Sequence, residues 1–120
     1  MSSFTDPLTV TKISGGKWRV RDGFTYFIGE ENSNNSVIIP DGFETDFASV
    51  PRGLWNIFPP DGQYSQAAVL HDFIYKYKIF PRKECDKIFL EAMKVLKVGF
   101  ITRRLMYRAV RMFGGLSWNR

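Results

Sequence analysis

The chain has 120 residues, of which 44% are hydrophobic and 16% aromatic, so it can bury one core and is too apolar to be intrinsically disordered. A single cysteine, Cys85, excludes an internal disulfide and a cysteine-based metal cluster. The net charge of +5 is uneven: residues 1–60 carry five basic and seven acidic side chains (−2), and residues 61–120 carry twelve and five (+7). The basic half indicates a polyanionic or acidic partner, or else a solvated helix face.

Residues 1–39 predict a small antiparallel β-meander. Apolar and polar residues alternate over 8–13 and 17–21, on either side of Gly15-Gly16, which is typical of a hairpin. Residues 24–28 and 37–39 predict two further short strands. Residues 40–62 contain four of the six prolines together with several aromatic side chains, and they predict a long ordered loop region.

Residues 63–114 predict a helical part with three helices. Apolar residues recur at intervals of three and four, first from Ser65 to about residue 78 and then from Pro81 to Gly99. A third helix is predicted from an N-cap at Thr102 to Gly114-Gly115. The first two helices form an antiparallel pair around residues 79–80. The whole chain, residues 1–120, is therefore predicted to be one α+β domain.

The first predicted helix carries the only histidine of the chain, His71. In an antiparallel helix pair Asp86 lies level with His71, where its carboxylate can fix one ring nitrogen and leave the other to act as a general base. Tyr75 lies one turn further along the same face and can donate to that carboxylate. Asp72 points about 100° away and is a candidate ligand for a hard cation. A histidine bonded to a nearby acid is also typical of a structural core group, and that alternative stays open.

Three further sets of residues are candidates for binding. Asp46 caps local backbone in a turn or reaches the helix as a ligand, and Arg52 pairs with an acid or with an anionic ligand. Arg104, Arg108 and Arg111 are spaced four and three residues apart, which predicts a stripe on one helix face that can contact phosphates or a protein. No nucleic-acid-binding signature accompanies the stripe, so a nucleic-acid partner is not expected.

Three stretches resemble a phage and prophage family known as domain of unknown function 1353. They are residues 40–52 (Pro-Asp-Gly-Phe-Glu-Thr-Asp-Phe-Ala-Ser-Val-Pro-Arg) and residues 67–75 (Ala-Ala-Val-Leu-His-Asp-Phe-Ile-Tyr), followed by residues 82–93 with Arg82, Asp86 and Phe89. The resemblance covers roughly residues 37–114 and implies a bacteriophage origin.

The helix pair also resembles the catalytic core of phospholipase A2, in which Ala-Ala-x-x-His-Asp-x-x-Tyr lies on one helix and an Asp on the next. That resemblance implies that His71 is a general base, Asp72 a calcium ligand, Asp86 the acid that orients His71 and Tyr75 its hydrogen-bond donor. Such enzymes have a glycine-rich calcium loop, whereas residues 59–63 (Pro-Pro-Asp-Gly-Gln) contain one glycine.

Two functions are therefore expected. The first is a phage accessory or virion-associated structural protein of the tail, baseplate or capsid, whose partners are other virion proteins. The alternative is a calcium-dependent, phospholipase A2-like hydrolase of lipids or esters that uses His71 and Asp86 and contacts anionic lipid. The start of the sequence has no secretory signal and the chain has no apolar run long enough to cross a membrane, so we expect synthesis in the host cytoplasm.

Overall fold

The computed structural model of the chain describes residues 2–13, 17–29, 35–45 and 64–119. The chain forms two compact units, Met1–Asp46 with the strands and Phe47–Arg120 with the helices. Small antiparallel sheets followed by three helices confirm the predicted α+β class. Most of the predicted loop region lies outside the described residues, and so do Asp46, Arg52 and residues 59–63. The grouping of both units into a single domain stays a prediction.

The N-terminal unit consists of short strands that form two antiparallel sheets. The strands are β1 (Ser3–Phe4), β2 (Val10–Lys12), β3 (Trp18–Val20), β4 (Phe24–Phe27), β5 (Ser36–Ile39) and β6 (Glu44–Thr45). One sheet has the order β1-β4-β5 and the other the order β2-β3-β6. The predicted hairpin is present as β2 and β3, with Val10 opposite Val20. Side chains alternate in and out of the core, so Phe24 and Tyr26 of β4 are buried.

The division into two sheets differs from the single meander predicted from the pattern. A meander would pair β3 with β4, but each of these strands has other partners, and the turn at residues 21–23 carries the chain from one sheet to the other. Gly23 makes this crossing possible because a Cβ there would lie 2.3 Å from the carbonyl oxygen of Ile39. Its N–H donates to the Asp41 carboxylate. The short strands β1 and β6 carry too little periodicity to be predicted from the sequence.

The C-terminal unit consists of the helices α1 (Ser65–Lys76), α2 (Arg82–Val95) and α3 (Phe100–Trp118). A short connection at residues 77–81 joins α1 to α2, and the two helices pack side by side as the predicted pair. The third helix packs mainly against α2 and also contacts α1. No helix among the described residues is long and apolar enough to span a bilayer.

The ends of α3 differ from their prediction. The helix begins before Thr102, which was the predicted N-cap, and it continues through Gly114-Gly115, which were the predicted stop. Gly114 is inside the helix because α3 approaches α1 closely there: a Cβ on Gly114 would lie 2.9 Å from the Tyr75 hydroxyl oxygen. The glycine therefore serves helix packing and does not terminate the helix.

Candidate functional site

Three helices contribute one polar side chain cluster to the interior of the C-terminal unit. His71 and Tyr75 come from α1, where the interval of four residues puts them on the same face. Asp86 comes from the first turns of α2, and Arg111 comes from α3. The four side chains meet at the Asp86 carboxylate, and we call them the Asp86 network.

The Asp86 carboxylate accepts hydrogen bonds from all three other members. His71 Nε2 and the Tyr75 hydroxyl both lie against Oδ1, at 2.7 Å and 2.5 Å. Arg111 Nη1 donates to Oδ2 at 2.6 Å. Hydrogen bonds to an ionised acceptor are short and strong, so the network fixes the relative position of α1, α2 and α3 as well as the orientation of the imidazole ring.

Two aromatic rings pack against the imidazole of His71. The His71 ring lies 4.1 Å from the Tyr75 ring and 4.8 Å from the Phe89 ring, measured between centroids. The side chains of His71 and Asp86 are both completely excluded from solvent. Phe89 lies one turn beyond Asp86 on α2, so one helix supplies both the acid and an apolar wall.

Within the network the imidazole of His71 is neutral and the carboxylate of Asp86 is ionised. Burial lowers the pKa of His71 below its ordinary value, and the nearby Asp86 carboxylate only partly offsets that effect. For Asp86 burial acts in the opposite direction, but the hydrogen bonds from His71, Tyr75 and Arg111 outweigh it and lower the pKa of the carboxyl group. The imidazole proton is therefore assigned to Nε2, where it is donated to Asp86.

The remaining ring nitrogen of His71 has no partner among the described residues. Nδ1 is buried and makes no hydrogen bond to any group in the part of the chain that the structure describes. Because the proton is on Nε2, Nδ1 carries a lone pair and is the basic atom of the ring. The same burial and the same carboxylate raise the pKa of the Tyr75 hydroxyl, so the tyrosine stays a neutral donor to Asp86.

A second set of contacts holds α3 over the network. Arg82 of α2 donates through Nη2 to the carbonyl oxygens of Val110 and Arg111, at 3.0 Å and 2.8 Å. The Tyr75 ring packs edge-on against Trp118, with 5.2 Å between centroids. These contacts explain why Arg111 is in place to reach Asp86 although 25 residues separate the two in sequence.

The structure brings together the predicted dyad and departs from the predicted arginine stripe. His71, Tyr75 and Asp86 meet as the helix spacing predicts. Arg104 and Arg108 are exposed, but Arg111 turns inward to Asp86. The inward turn was missed because an interval of three or four residues places the arginines on one side of the helix without saying which of them faces the core. Cys85, next to Asp86, is buried, and burial raises the pKa of its thiol to about 11, so it is an unreactive core residue.

A calcium site does not follow from the residues that the structure describes. Asp72, the predicted ligand, is buried in α1 beside His71. No group of three or more His, Cys, Asp or Glu side chains in residues 2–13, 17–29, 35–45 and 64–119 could hold a metal ion. Calcium takes six to eight oxygen ligands, so the described residues do not provide a fit for it.

The chain matches a known protein family. A family model described as "Protein of unknown function (DUF1353)" matches residues 18–110. The chain belongs to this family. The DUF1353 match begins at β3 and ends one residue before Arg111, so it includes His71, Tyr75 and Asp86.

Among curated proteins, this DUF1353 chain is similar to "Uncharacterized protein y4jT" of Sinorhizobium fredii, with 31% identity over 78 residues. The aligned part is 63% of this chain and 23% of that protein, so the chain spans under a quarter of its relative's length. No solved structure matches the chain significantly.

Proposed function

We propose that the helical unit carries the catalytic dyad of a hydrolase, in which His71 is the general base and Asp86 the acid that orients it. The observation that supports this proposal is that the two nitrogens of the His71 ring have different surroundings. Nε2 is fixed to Asp86 at 2.7 Å, whereas Nδ1 is buried without a partner in the described part of the chain. A general base needs this arrangement, because one nitrogen sets the orientation and the tautomer while the other accepts the proton.

The unpaired nitrogen is difficult to explain as a purely structural feature. Leaving a buried polar atom without a hydrogen bond costs about 1–3 kcal/mol. A structural histidine satisfies both nitrogens as a rule, because most buried polar side-chain atoms have a partner. A buried atom without a partner calls for an explanation, and a catalytic role is one such explanation. Nε of Arg82 and Nε of Arg103 also lack a partner among the described residues, so the position of Nδ1 on the ring that Asp86 orients is what supports the proposal. The His71 side chain is completely excluded from solvent, so the proposal requires that the helical unit opens to admit water and substrate. With that opening, an Nδ1 that has no partner among the described residues, beside a fully bonded Nε2, favours a catalytic site.

The chemistry follows from the lone pair on Nδ1. Nδ1 of His71 accepts a proton from a water molecule, whose oxygen forms a bond to the carbonyl carbon of an ester. The tetrahedral intermediate collapses as the bond to the leaving oxygen breaks. The imidazolium returns its proton to that oxygen, and a carboxylic acid and an alcohol are released. Asp86 accepts from Nε2 throughout and stabilises the imidazolium.

Tyr75 and Arg111 are positioning residues in this proposal. Both donate to the Asp86 carboxylate and keep it ionised, which in turn keeps the proton of His71 on Nε2. If either donor is lost, the pKa of Asp86 rises and its hold on the ring weakens. The resemblance to phospholipase A2 suggests carboxylic esters of phospholipids as the substrate class. It also suggests calcium as a cofactor, which an experiment can test.

Turnover of phospholipid and short-chain esters by the purified protein tests the proposal, with calcium and with a chelator in parallel. We expect ester cleavage by the unmodified chain. His71→Gln keeps an amide donor toward Asp86 but has no base, and general-base catalysis contributes about 100- to 10,000-fold, so we expect a loss of that size. Glu84→Gln, an exposed acid in the first turn of α2, is the matched control and should retain full activity.

Two results would contradict the hydrolase proposal. One is no cleavage of either substrate class by the folded protein under both metal conditions. The other is equal activity of His71→Gln and the unmodified chain. Activity that disappears with the chelator and returns with calcium would support the calcium-dependent form of the proposal, and activity that ignores the chelator would support a metal-free dyad.

A second candidate is a phage accessory or virion-associated protein of the tail, baseplate or capsid that is made in the host cytoplasm. The observation that favours it is on β5, an edge strand of the sheet β1-β4-β5, where Ile38 is 67% exposed. The backbone groups of an edge strand can pair with a strand of another protein, and the Ile38 side chain would lie in that contact. Mass spectrometry of purified particles from the genome that encodes the chain tests this role. Ile38→Lys should reduce incorporation while Thr11→Lys, an exposed strand control, should not. Absence of the chain from the particles would contradict it.

A further inference from the structure

The outer face of α3 combines large apolar side chains with arginines. Ile101, Leu105, Arg108 and Met112 follow each other at intervals of four, three and four residues, so they share one side of the helix. All four are exposed, and Ile101 and Met112 are each 73% exposed. The opposite side of α3 packs into the unit through the buried residues Met106, Ala109 and Val110.

The apolar stripe has flanks of positive charge. Arg104 is exposed beside it, and its guanidinium lies 5.4 Å from the ring centre of Phe100, which is itself exposed. Residues 92–120 carry seven basic side chains and no Asp or Glu. We define the α3 face as Phe100, Ile101, Arg104, Leu105, Arg108 and Met112.

We propose that the α3 face docks the helical unit on an anionic lipid surface. A helix with apolar side chains on its outer side, flanked by Lys and Arg and free of acids, is suited to lie in the headgroup region of a bilayer. The apolar side chains enter the boundary of the acyl chains, and the guanidinium groups pair with lipid phosphates, for which their forked geometry is suited. This inference deepens the hydrolase proposal by naming the surface at which esters are met, but the binding itself does not use the Asp86 network.

Positive charge favours an anionic partner, and the exposed apolar side chains favour lipid over a nucleic acid. A nucleic-acid-binding face needs polar and basic contacts and has little use for exposed Ile, Leu and Met side chains. A bilayer interface uses both kinds of side chain at the same depth. The helical unit retains its core when α3 docks, because the buried side of α3 is separate from the exposed one.

Co-sedimentation with vesicles tests the proposal, using phosphatidylcholine alone and phosphatidylcholine mixed with phosphatidylglycerol. We expect tight binding to the mixed vesicles, weak binding to phosphatidylcholine alone, and release as sodium chloride rises to about 1 M, where the screening length is about 3 Å. The double variant Arg104→Glu/Arg108→Glu should lower the partition coefficient by roughly 30-fold or more, from about fivefold for each cationic side chain near the surface. Ile101→Ser/Met112→Ser should lower it by roughly tenfold.

A matched control is available on α2. Lys83 and Lys87 are exposed, have the same interval of four residues as the two arginines, and lie outside the α3 face. Lys83→Glu/Lys87→Glu changes the net charge by the same amount and should leave vesicle binding within about twofold, since only charges close to the lipid surface contribute to it. Far-UV circular dichroism of each variant reports whether it is folded.

The outcomes separate the proposal from its rivals. No binding to mixed vesicles would overturn it, and so would binding to duplex DNA but not to lipid. Equal loss of binding in Arg104→Glu/Arg108→Glu and in Lys83→Glu/Lys87→Glu would also overturn it. Docking through the α3 face does not use the Asp86 network. Vesicle binding without any ester cleavage would therefore refute the hydrolase proposal and leave the docking proposal intact, and cleavage of soluble esters without vesicle binding would do the reverse.

Discussion

Asp86→Asn should destabilise the helical unit strongly. The substitution keeps the shape of the side chain and removes the charge that His71, Tyr75 and Arg111 contact. The Asp86 side chain is completely excluded from solvent, so water cannot replace the lost contacts. An asparagine amide also presents N–H groups to at least one of the three donors, which places donor against donor.

The size of the effect follows from the number of charged hydrogen bonds. Each hydrogen bond to a charged group contributes about 1.5–3 kcal/mol, and removing one partner of a buried ion pair costs about 3–5 kcal/mol. The asparagine oxygen still accepts one hydrogen bond, so the expected loss is smaller than the sum over all three bonds and close to the range for one broken ion pair. We expect the free energy of unfolding to fall by about 3–5 kcal/mol, a large fraction of the total for a domain of this size.

Urea unfolding followed by far-UV circular dichroism measures this loss. Glu84→Gln removes one negative charge from an exposed position in the same helical turn and should change the free energy of unfolding by less than about 1 kcal/mol. A loss below about 1 kcal/mol for Asp86→Asn would refute the assignment of Asp86 as the ionised centre of the network.

Three further predictions follow from the same contacts. Tyr75→Phe keeps the ring contacts but loses the donor to Asp86, and urea unfolding should show a loss of about 1.5–3 kcal/mol; an unchanged midpoint would contradict the 2.5 Å bond. Gly114→Ala should lower the melting temperature because its Cβ would lie 2.9 Å from the Tyr75 hydroxyl. Gly115→Ala, whose Cβ would have no neighbour nearer than 3.9 Å, should raise the free energy of unfolding by up to about 1 kcal/mol. A change of the same sign in both variants would contradict the close approach of α3 to Tyr75. The free energy of unfolding should fall as the pH drops below about 6.5, because the lowered pKa values of His71 and Asp86 mean that the unfolded chain binds more protons. In His71→Gln the free energy of unfolding should fall less between pH 6.5 and pH 3.8, the ordinary pKa values of His and Asp. Urea titrations at several pH values measure this difference. The same pH profile in the variant and the unmodified chain would contradict a neutral His71.

The helix pair and its dyad could be predicted because their determinants are local. Apolar residues at intervals of three and four residues define α1 and α2, and the short connection between them leaves one way to pack. In that arrangement His71, Tyr75 and Asp86 meet by geometry alone, as the structure confirms. Their chemical role is a separate matter and stays a proposal.

The two sheets and the ends of α3 could not be predicted because their causes are distant in sequence. The strand order depends on β1 and β6, two-residue strands that exist only through their pairing with β4 and β3. Gly114 looks like a helix stop in the sequence, and it is a helix interior residue because Tyr75 lies against it. Local pattern gives no information about either partner.

The sequence by itself determined the class of the fold, the helix pair and the level at which His71 faces Asp86, since helical periodicity and a short turn decide all three. Only the tertiary structure decided that Arg111 donates to the second oxygen of the Asp86 carboxylate while Arg104 and Arg108 are exposed to solvent. The rotation of α3 makes that distinction, and it is set by contacts such as the bonds from Arg82 to the carbonyl oxygens of Val110 and Arg111. The tertiary structure also bonds Nε2 of His71 to Asp86 and leaves Nδ1 without a partner in the part of the chain that is described.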